Sequence, residues 1–226
     1  EPLPYHRRVP IADDVTLADV TGSTVEFALE GPAAASVLAS LGAPLPAGPF
    51  SFDDWNGTAI VLASSSGAPG YRLIAPVEEK APLIASLTAA GAMPATLAEF
   101  ETVRLENGTP RYGVDFTESH IAQESGLAAA LNFSKGCYLG QEIVERVRSR
   151  GHVNRMLTAF AIDTRTPPPP GARIFAGDAE VGELTSAAFS PRQGVVRALA
   201  YVRTAAFASA TPMTVEGAPA KPIQKS

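Results

Sequence analysis

Lys135-Gly-Cys-Tyr-Leu-Gly-Gln-Glu142 is the stretch with the strongest local signal in this 226-residue chain, and it holds the only cysteine, Cys137. Gly136 and Gly140 permit backbone angles that a side chain forbids, and we expect one or both to use them. A nearby cation such as Lys135 favours the thiolate form of a cysteine. We interpret Cys137 as a functional thiol assisted by Lys135; the alternative is a small, buried and inert hydrophobe.

The residues that follow predict a helix over Gln141–Arg150. Glu142 would lie in its first turn, where a negative side chain suits the positive end of the helix dipole, and Gly151 would end it. A helix that starts just after the cysteine also favours the thiolate. The residues assigned to this candidate site are Lys135, Gly136, Cys137, Tyr138, Gly140, Gln141 and Glu142.

Composition sets the outer limits on fold and function. The chain is 46% hydrophobic and 18% charged, which is typical of a globular protein with a real core. A net charge of −5 argues against extensive binding to nucleic acid or anionic membranes. One cysteine excludes an internal disulfide, and we find neither a bilayer-length apolar run nor a signal peptide. We therefore expect a cytoplasmic protein, and no metal site, because His6, His120 and His152 lack metal-ligand spacing.

The first two thirds of the chain mix strands and helices, which predicts an α+β fold rather than a regular parallel βαβ repeat. Thr96 and Glu99 form a capping box that opens a helix to about Asn107. The other elements predicted here are strands over Ser23–Leu29, Thr58–Ala63 and Tyr71–Ala75 and helices over Pro32–Leu41 and Glu79–Ala90.

After about residue 153, short strand-like runs are separated by glycine, proline and serine, which predicts a small antiparallel barrel or sandwich. The runs are Met156–Ile162, Arg173–Ala176, Glu180–Thr185, Val195–Val202 and Met213–Glu216. Pro167–Pro170 is either a rigid spacer or a loop between strands. We accordingly predict an α+β region over residues 1–152 and a barrel domain over residues 153–226.

The octapeptide resembles the signature of the YgfZ/Iba57 group of folate-binding proteins, relatives of the aminomethyltransferase (T-protein) of the glycine cleavage system. Further stretches resemble this family in the same order: Arg104–Asp115, Glu124–Leu127, Asn132–Lys135 and Gly182–Ser186. The resemblance implies a multi-lobed cloverleaf architecture with a C-terminal β-barrel. It also implies that full-length relatives carry about 100 further residues upstream of a segment like Val15–Leu29, which the folate-binding region of this chain is expected to lack.

The resemblance implies tetrahydrofolate or a derivative as cofactor. It also implies a role in assembling or repairing iron–sulfur proteins, and through those proteins an effect on tRNA modification. The implied partners are iron–sulfur assembly proteins or client enzymes, while this chain alone is not expected to hold a cluster stably. The arginines of Gln141–Arg150 are either a solvated helix face paired with glutamates or a patch for an anionic partner. The acidity of the whole chain disfavours direct tRNA contact and membrane binding.

The same resemblance points to Tyr71, Phe100 and Arg104 as folate contacts. Aminomethyltransferases carry a glutamate where this chain has Arg72, and an arginine where it has Phe100, so pterin stacking on an aromatic ring would replace part of the hydrogen bonding. The alternatives are that both aromatic residues are core residues and that Arg104 pairs with a neighbouring glutamate on a solvated helix face.

Two classes of function follow, and sequence alone leaves both open. The first is a folate-dependent factor for iron–sulfur proteins centred on Cys137. The second is a tetrahydrofolate-dependent aminomethyl or one-carbon transferase with the same fold. Cys137, Arg72 and Phe100 favour the first, since the transferases lack this cysteine. A scaffold that keeps the fold without binding a ligand is a third option.

Overall fold

The computed structural model describes residues 18–127, 130–138, 140–151, 153–208 and 211–223. The chain divides into two compact units. The first comprises Glu1–Ser64 and Pro69–Pro94, and the second comprises Ser65–Ala68 and Ala95–Ser226. The boundary drawn from the sequence at residue 153 stays a prediction.

The first unit is built on a four-stranded antiparallel sheet with strand order β1-β4-β3-β2. Its strands are β1 Thr24–Glu30, β2 Phe52–Trp55, β3 Thr58–Val61 and β4 Gly70–Pro76, and its α-helices are α1 Ala34–Ser40 and α2 Lys80–Ala89. Its core contains Leu38 of α1 and Ile60 and Leu73 of the sheet, all fully buried, together with Leu83 and Leu87 of α2. Burial of these apolar side chains fixes the sheet against its helices.

The second unit joins two helices to a closed antiparallel barrel of strand order β10-β5-β8-β7-β6-β9. The helices are α3 Leu97–Glu106 and α4 Gln141–Arg150, with 3-10 helices at Ala122–Ser125 and Thr204–Ala208. The strands are β5 Arg155–Ile162, β6 Arg173–Ala176, β7 Ala179–Ser190, β8 Val195–Arg203, β9 Met213–Val215 and β10 Ala218–Ile223.

Strand β8 shows how the barrel is covered. Val196 and Val202 belong to the apolar core inside the barrel, while Leu199 and Tyr201, on the alternate face, form a separate cluster with Leu105 of α3. Because successive side chains of a strand point to opposite faces, one strand serves both layers. Helix α3 therefore packs on the outer face of the barrel.

The structure confirms the α+β class and the C-terminal barrel, and it resolves the choice between barrel and sandwich in favour of a barrel. The two strands that the sequence failed to predict are β2 and β10. Strand β10 contains Pro219 and Pro222, and proline is depleted in strands because it has no N–H to donate. Strand β2 lies at a sheet edge and carries two adjacent aspartates, which are also poor strand formers.

Candidate functional site

Residues 135–138 of the octapeptide lie in a loop before α4, and its last two residues, Gln141 and Glu142, begin that helix. Cys137 is exposed, as are Lys135 and Gly136. The Lys135 ammonium lies 4.4 Å from the centre of the Tyr138 ring, a cation–π contact that ties the two side chains together. The exposure of Cys137 is incompatible with the alternative of a buried hydrophobic cysteine.

Two glycines in left-handed conformation set the ends of α4. Gly140 precedes the helix with φ +85°, and Gly151 follows it with the same φ. Gly136 lies outside the left-handed region, and a Cβ added to it would have no atom within 4 Å. The structure thus confirms the predicted helix Gln141–Arg150, and of the two loop glycines it is Gly140 that uses the special freedom of glycine. Glu142 lies in the first turn, as predicted.

Arg104 is fully buried in the second unit and engages two carboxylates. Its guanidinium lies 2.5 Å from Glu101 and 2.7 Å from Asp115, and it also donates to the carbonyl of Thr109 at 3.1 Å. The pairing with Glu101 matches the alternative drawn from the sequence, but the site is buried and not a solvated face. Its role as a folate contact stays a prediction.

Asp115 is the centre of this network. Its Oδ2 accepts from Arg104 and from the backbone N–H of Arg111 at 2.8 Å. Its Oδ1 accepts from the hydroxyls of Thr185 at 2.6 Å and Ser186 at 2.5 Å, both on β7. A buried carboxylate with several charge-assisted donors is well compensated for its lost hydration. Asp115 therefore joins α3, the loop after it and the barrel.

A second contact between a carboxylate of α3 and polar side chains of the barrel lies at the end of α3. Glu106 accepts from the hydroxyl of Ser190 and pairs with Arg192 at 3.1 Å. The nearby Arg197 is buried on β8, and burial lowers its pKa while the charge of Glu106 opposes that effect. Arg197 also donates to the side-chain oxygen of Gln193 at 2.8 Å. These contacts fix the last turn of α3 on the barrel.

The predicted folate contacts fall in both units. Tyr71 is buried on β4 within the first unit, opposite Leu29 of β1. Arg72, beside it, pairs with Glu26 at 2.5 Å across the sheet, and both side chains are exposed. Phe100 is half-buried on α3 in the second unit. Of the three predicted contacts, Phe100 keeps the most accessible side chain.

A cluster around Tyr201 was not foreseen from the sequence. The ring of Tyr201 stacks on His120 at 4.7 Å, and the guanidinium of Arg155 lies 4.9 Å from its centre. Arg155 in turn pairs with the buried Glu124 at 3.1 Å. Burial, followed by the charge of Glu124, raises the pKa of Tyr201 to about 12. The four residues come from three separate elements and a loop, so no local pattern could have linked them.

Metal-binding and membrane-spanning features are considered together, because both depend on which side chains lie close to one another or along one helix. Within the described residues, no three histidine, cysteine, aspartate or glutamate side chains lie together as metal ligands would. Across the same residues, every helix is too short or too polar to cross a bilayer. His6 and His152 lie outside the described residues.

Comparisons with known proteins identify the family to which this architecture belongs. The sequence model of the GCVT N-terminal domain matches residues 4–135, and that of the glycine cleavage T-protein C-terminal barrel domain matches residues 155–224. Aminomethyltransferases of Parafrankia sp. (strain EAN1pec) and Geobacillus kaustophilus (strain HTA426) are 32% and 34% identical, over 82% and 80% of this chain. Each alignment covers 53% of the relative, so the chain spans about half the length of these curated relatives.

The fold is shared with a solved structure as well. The crystal structure of glycine cleavage system aminomethyltransferase T from Bartonella henselae superposes with a TM-score of 0.77 at 24% identity. The match covers 89% of this chain and 58% of that one. Since both family models match in the family's order and together span most of the sequence, the chain belongs to the glycine cleavage T-protein family.

Proposed function

We propose that this chain is part of a tetrahydrofolate-binding protein that transfers an aminomethyl or other one-carbon unit. The observation that carries the proposal is the ordered match of both T-protein domain models, together with relatives named aminomethyltransferase at 32% and 34% identity. In this proposal residues 1–152 bind the folate and residues 153–226 form the barrel domain. Tetrahydrofolate, when bound, accepts the one-carbon unit.

Tyr71, Phe100 and Arg104 are the folate contacts that the sequence predicts, and they differ in how much of each side chain a ligand could reach. A half-buried aromatic ring such as Phe100 fits a pterin, because it offers an apolar face for stacking. Tyr71 is 8% exposed and Arg104 is 0% exposed, so each has little surface left for a ligand. We therefore assign Phe100 the direct contact and give Arg104 the task of holding α3, on which Phe100 stands.

Folate binding is tested by calorimetric titration of the full-length protein that contains this chain with tetrahydrofolate. We expect Phe100→Ala to weaken binding about tenfold, because an aromatic stack contributes about 0.5–1.5 kcal/mol beyond its buried area. Phe207→Ala is the matched control, since Phe207 is a partly exposed phenylalanine in the 3-10 helix Thr204–Ala208. Equal affinity in the Phe100 variant and the control would remove Phe100 from the site.

Transfer itself needs a separate experiment. With an aminomethyl donor and tetrahydrofolate, the transferase proposal predicts turnover in the protein that contains this chain. Turnover should persist in the Cys137→Ser variant, since the aminomethyltransferases that this chain resembles lack the cysteine of the octapeptide. Absence of turnover in a protein that binds tetrahydrofolate would argue against the transferase and leave folate binding intact.

A second candidate function is favoured by one observation, the exposed Cys137 in a loop with the YgfZ/Iba57-type signature. In that case the protein supports iron–sulfur assembly or repair in the cytoplasm, with assembly proteins or client enzymes as partners. It would affect tRNA modification through those clients and would not need to hold a cluster itself. Cys137→Ser should then abolish recovery of iron–sulfur enzyme activity in cells that lack the native protein. Full recovery with that variant would exclude a role for the thiol.

A further inference from the structure

Strand β7 contains an irregularity that the proposed function does not yet use. It lies in the Gly182–Ser186 stretch, where the pairing of β7 with β8 shifts register between Leu184 and Ser186. Thr185 is the extra residue of this shift, which makes it the centre of a β-bulge. Bulges re-aim side chains and are common beside functional sites. The position of this bulge therefore raises the question of what Thr185 is aimed at.

The bulge turns two successive side chains to the same face of the barrel. Leu184 lies in the barrel core, and Ala187 packs against that core. In a regular strand a single residue separates two inward-facing positions, because side chains alternate between the faces. Here both Thr185 and Ser186 lie between them, and both reach Oδ1 of Asp115, at 2.6 and 2.5 Å. Without the bulge, β7 would present only one hydroxyl to this carboxylate.

The hydroxyl of Thr185 has a second acceptor within reach, the carbonyl oxygen of Leu199 at 3.1 Å. A hydroxyl has one proton to donate, and a hydrogen bond to a charged acceptor is the stronger kind. The shorter contact with Asp115 is therefore the one that receives the proton. Because the side chain of Asp115 is fully buried, its charge depends on such donors.

Asp115 carries this constraint to the helix on which Phe100 stands. Its Oδ2 accepts from the fully buried Arg104 at 2.7 Å. Phe100 and Arg104 are four residues apart on α3, so they lie on the same face of that helix, about one turn apart. Arg104 cannot shift without weakening its bond to a buried carboxylate. The face of α3 that carries Phe100 is thereby held against the barrel.

We propose that Thr185 is a positioning residue of the folate site, which acts through Asp115 and Arg104 to hold Phe100 in place for the pterin. Thr185 itself does not touch the ligand in this arrangement. The inference rests on the proposed function, since it takes Phe100 as the residue on which the pterin stacks. It adds that a strand of the barrel domain sets the affinity of a site on α3.

The test is a calorimetric titration of the full-length protein that contains this chain with tetrahydrofolate. Thr185→Val keeps the branched side chain and removes the hydroxyl, and we expect it to weaken binding about fivefold. Thr185→Ser keeps the hydroxyl and should retain the affinity of the parent protein. Thr158→Val is the matched control, because Thr158 lies on β5 and its hydroxyl bonds to the carbonyl of Met156 at 3.4 Å, outside the Asp115 network.

A double-mutant cycle with Phe100→Ala separates positioning from a general effect on the fold. In the Phe100→Ala background, Thr185→Val should cause no further loss of affinity, because no ring remains to be positioned. A general loosening of the fold would instead weaken binding by the same factor in both backgrounds. If Thr185→Val does not fold, Ser186→Ala takes its place in the cycle, since it removes the other hydroxyl from Asp115.

The outcomes distinguish this inference from the proposed function beneath it. Equal affinity of Thr185→Val and Thr158→Val, or an equal loss in both backgrounds, would overturn the role of Thr185 while Phe100 kept its place in the site. Undiminished affinity in Phe100→Ala, or no binding by the parent protein, would overturn the proposed folate contact and this inference with it.

Discussion

The Lys135–Glu142 loop and the Asp115 network belong to the same unit but use their polar side chains in opposite ways. Residues 135–137 of the loop are exposed, and the contact of Lys135 with the ring of Tyr138 is short in range. The network is buried and connects residues 70 positions apart in the chain. Polar groups of the Asp115 network join a helix to a barrel, whereas the polar groups at residues 135–137 stay accessible to solvent.

The largest expected effect is at Arg104. Arg104→Met would leave Asp115 and Glu101 without their shared cation, and Asp115 is fully buried. Breaking a buried ion pair on one side costs about 3–5 kcal/mol. Urea denaturation should show a loss of that size in the free energy of unfolding.

Arg148→Met is the control for Arg104, because the pair of Arg148 with Glu145 is exposed and 3.6 Å long. Such a pair contributes little to stability. If the two variants were equally stable, the Asp115 network would not be what holds α3 to the barrel.

The loop and the network also differ in how far they could be predicted. The bounds of α4 and the capping box of α3 follow from local rules, since Gly140, Gly151 and the Thr96–Glu99 pair act within a few residues. Pairing of Arg104 with a neighbouring glutamate was one of the alternatives that the sequence offered, and in the structure that glutamate is Glu101. Nothing local indicated that Asp115 would meet β7, because that contact exists only once the barrel has closed.

A smaller effect is expected at the barrel side of the network. Ser186→Ala removes one of the two hydroxyls that donate to Asp115 Oδ1, while that of Thr185 remains. Loss of a hydrogen bond to a buried charged group costs about 1.5–3 kcal/mol. Thermal or urea unfolding measures the loss.

Ser149→Ala serves as its control, since the hydroxyl of Ser149 is exposed and bonds to a carbonyl of its own helix. A loss no greater than in this control would mean that Thr185 alone satisfies the carboxylate.

The two loop glycines allow a test within the motif itself. Gly140→Ala places a side chain at φ +85° and should cost about 1–2 kcal/mol of stability. At Gly136 an added Cβ would lie in open space, and the backbone φ is not left-handed. The Gly136→Ala variant should therefore have the same free energy of unfolding as the parent chain. The difference between the two unfolding free energies is the quantity of interest. Equal values would show that the start of α4 does not depend on the left-handed residue.

The smallest effect on stability, and the sharpest contrast with Asp115, is expected at Cys137. Because the thiol is exposed and the structure gives it no partner within the described residues, Cys137→Ser should leave the free energy of unfolding unchanged. In the native chain a thiol reagent should modify Cys137 without denaturant, at a rate close to that of the unfolded chain or faster. A thiol that reacts only after unfolding would contradict the exposed loop. A stable Cys137→Ser variant that fails in cells would instead show that the residue serves a partner and not the fold.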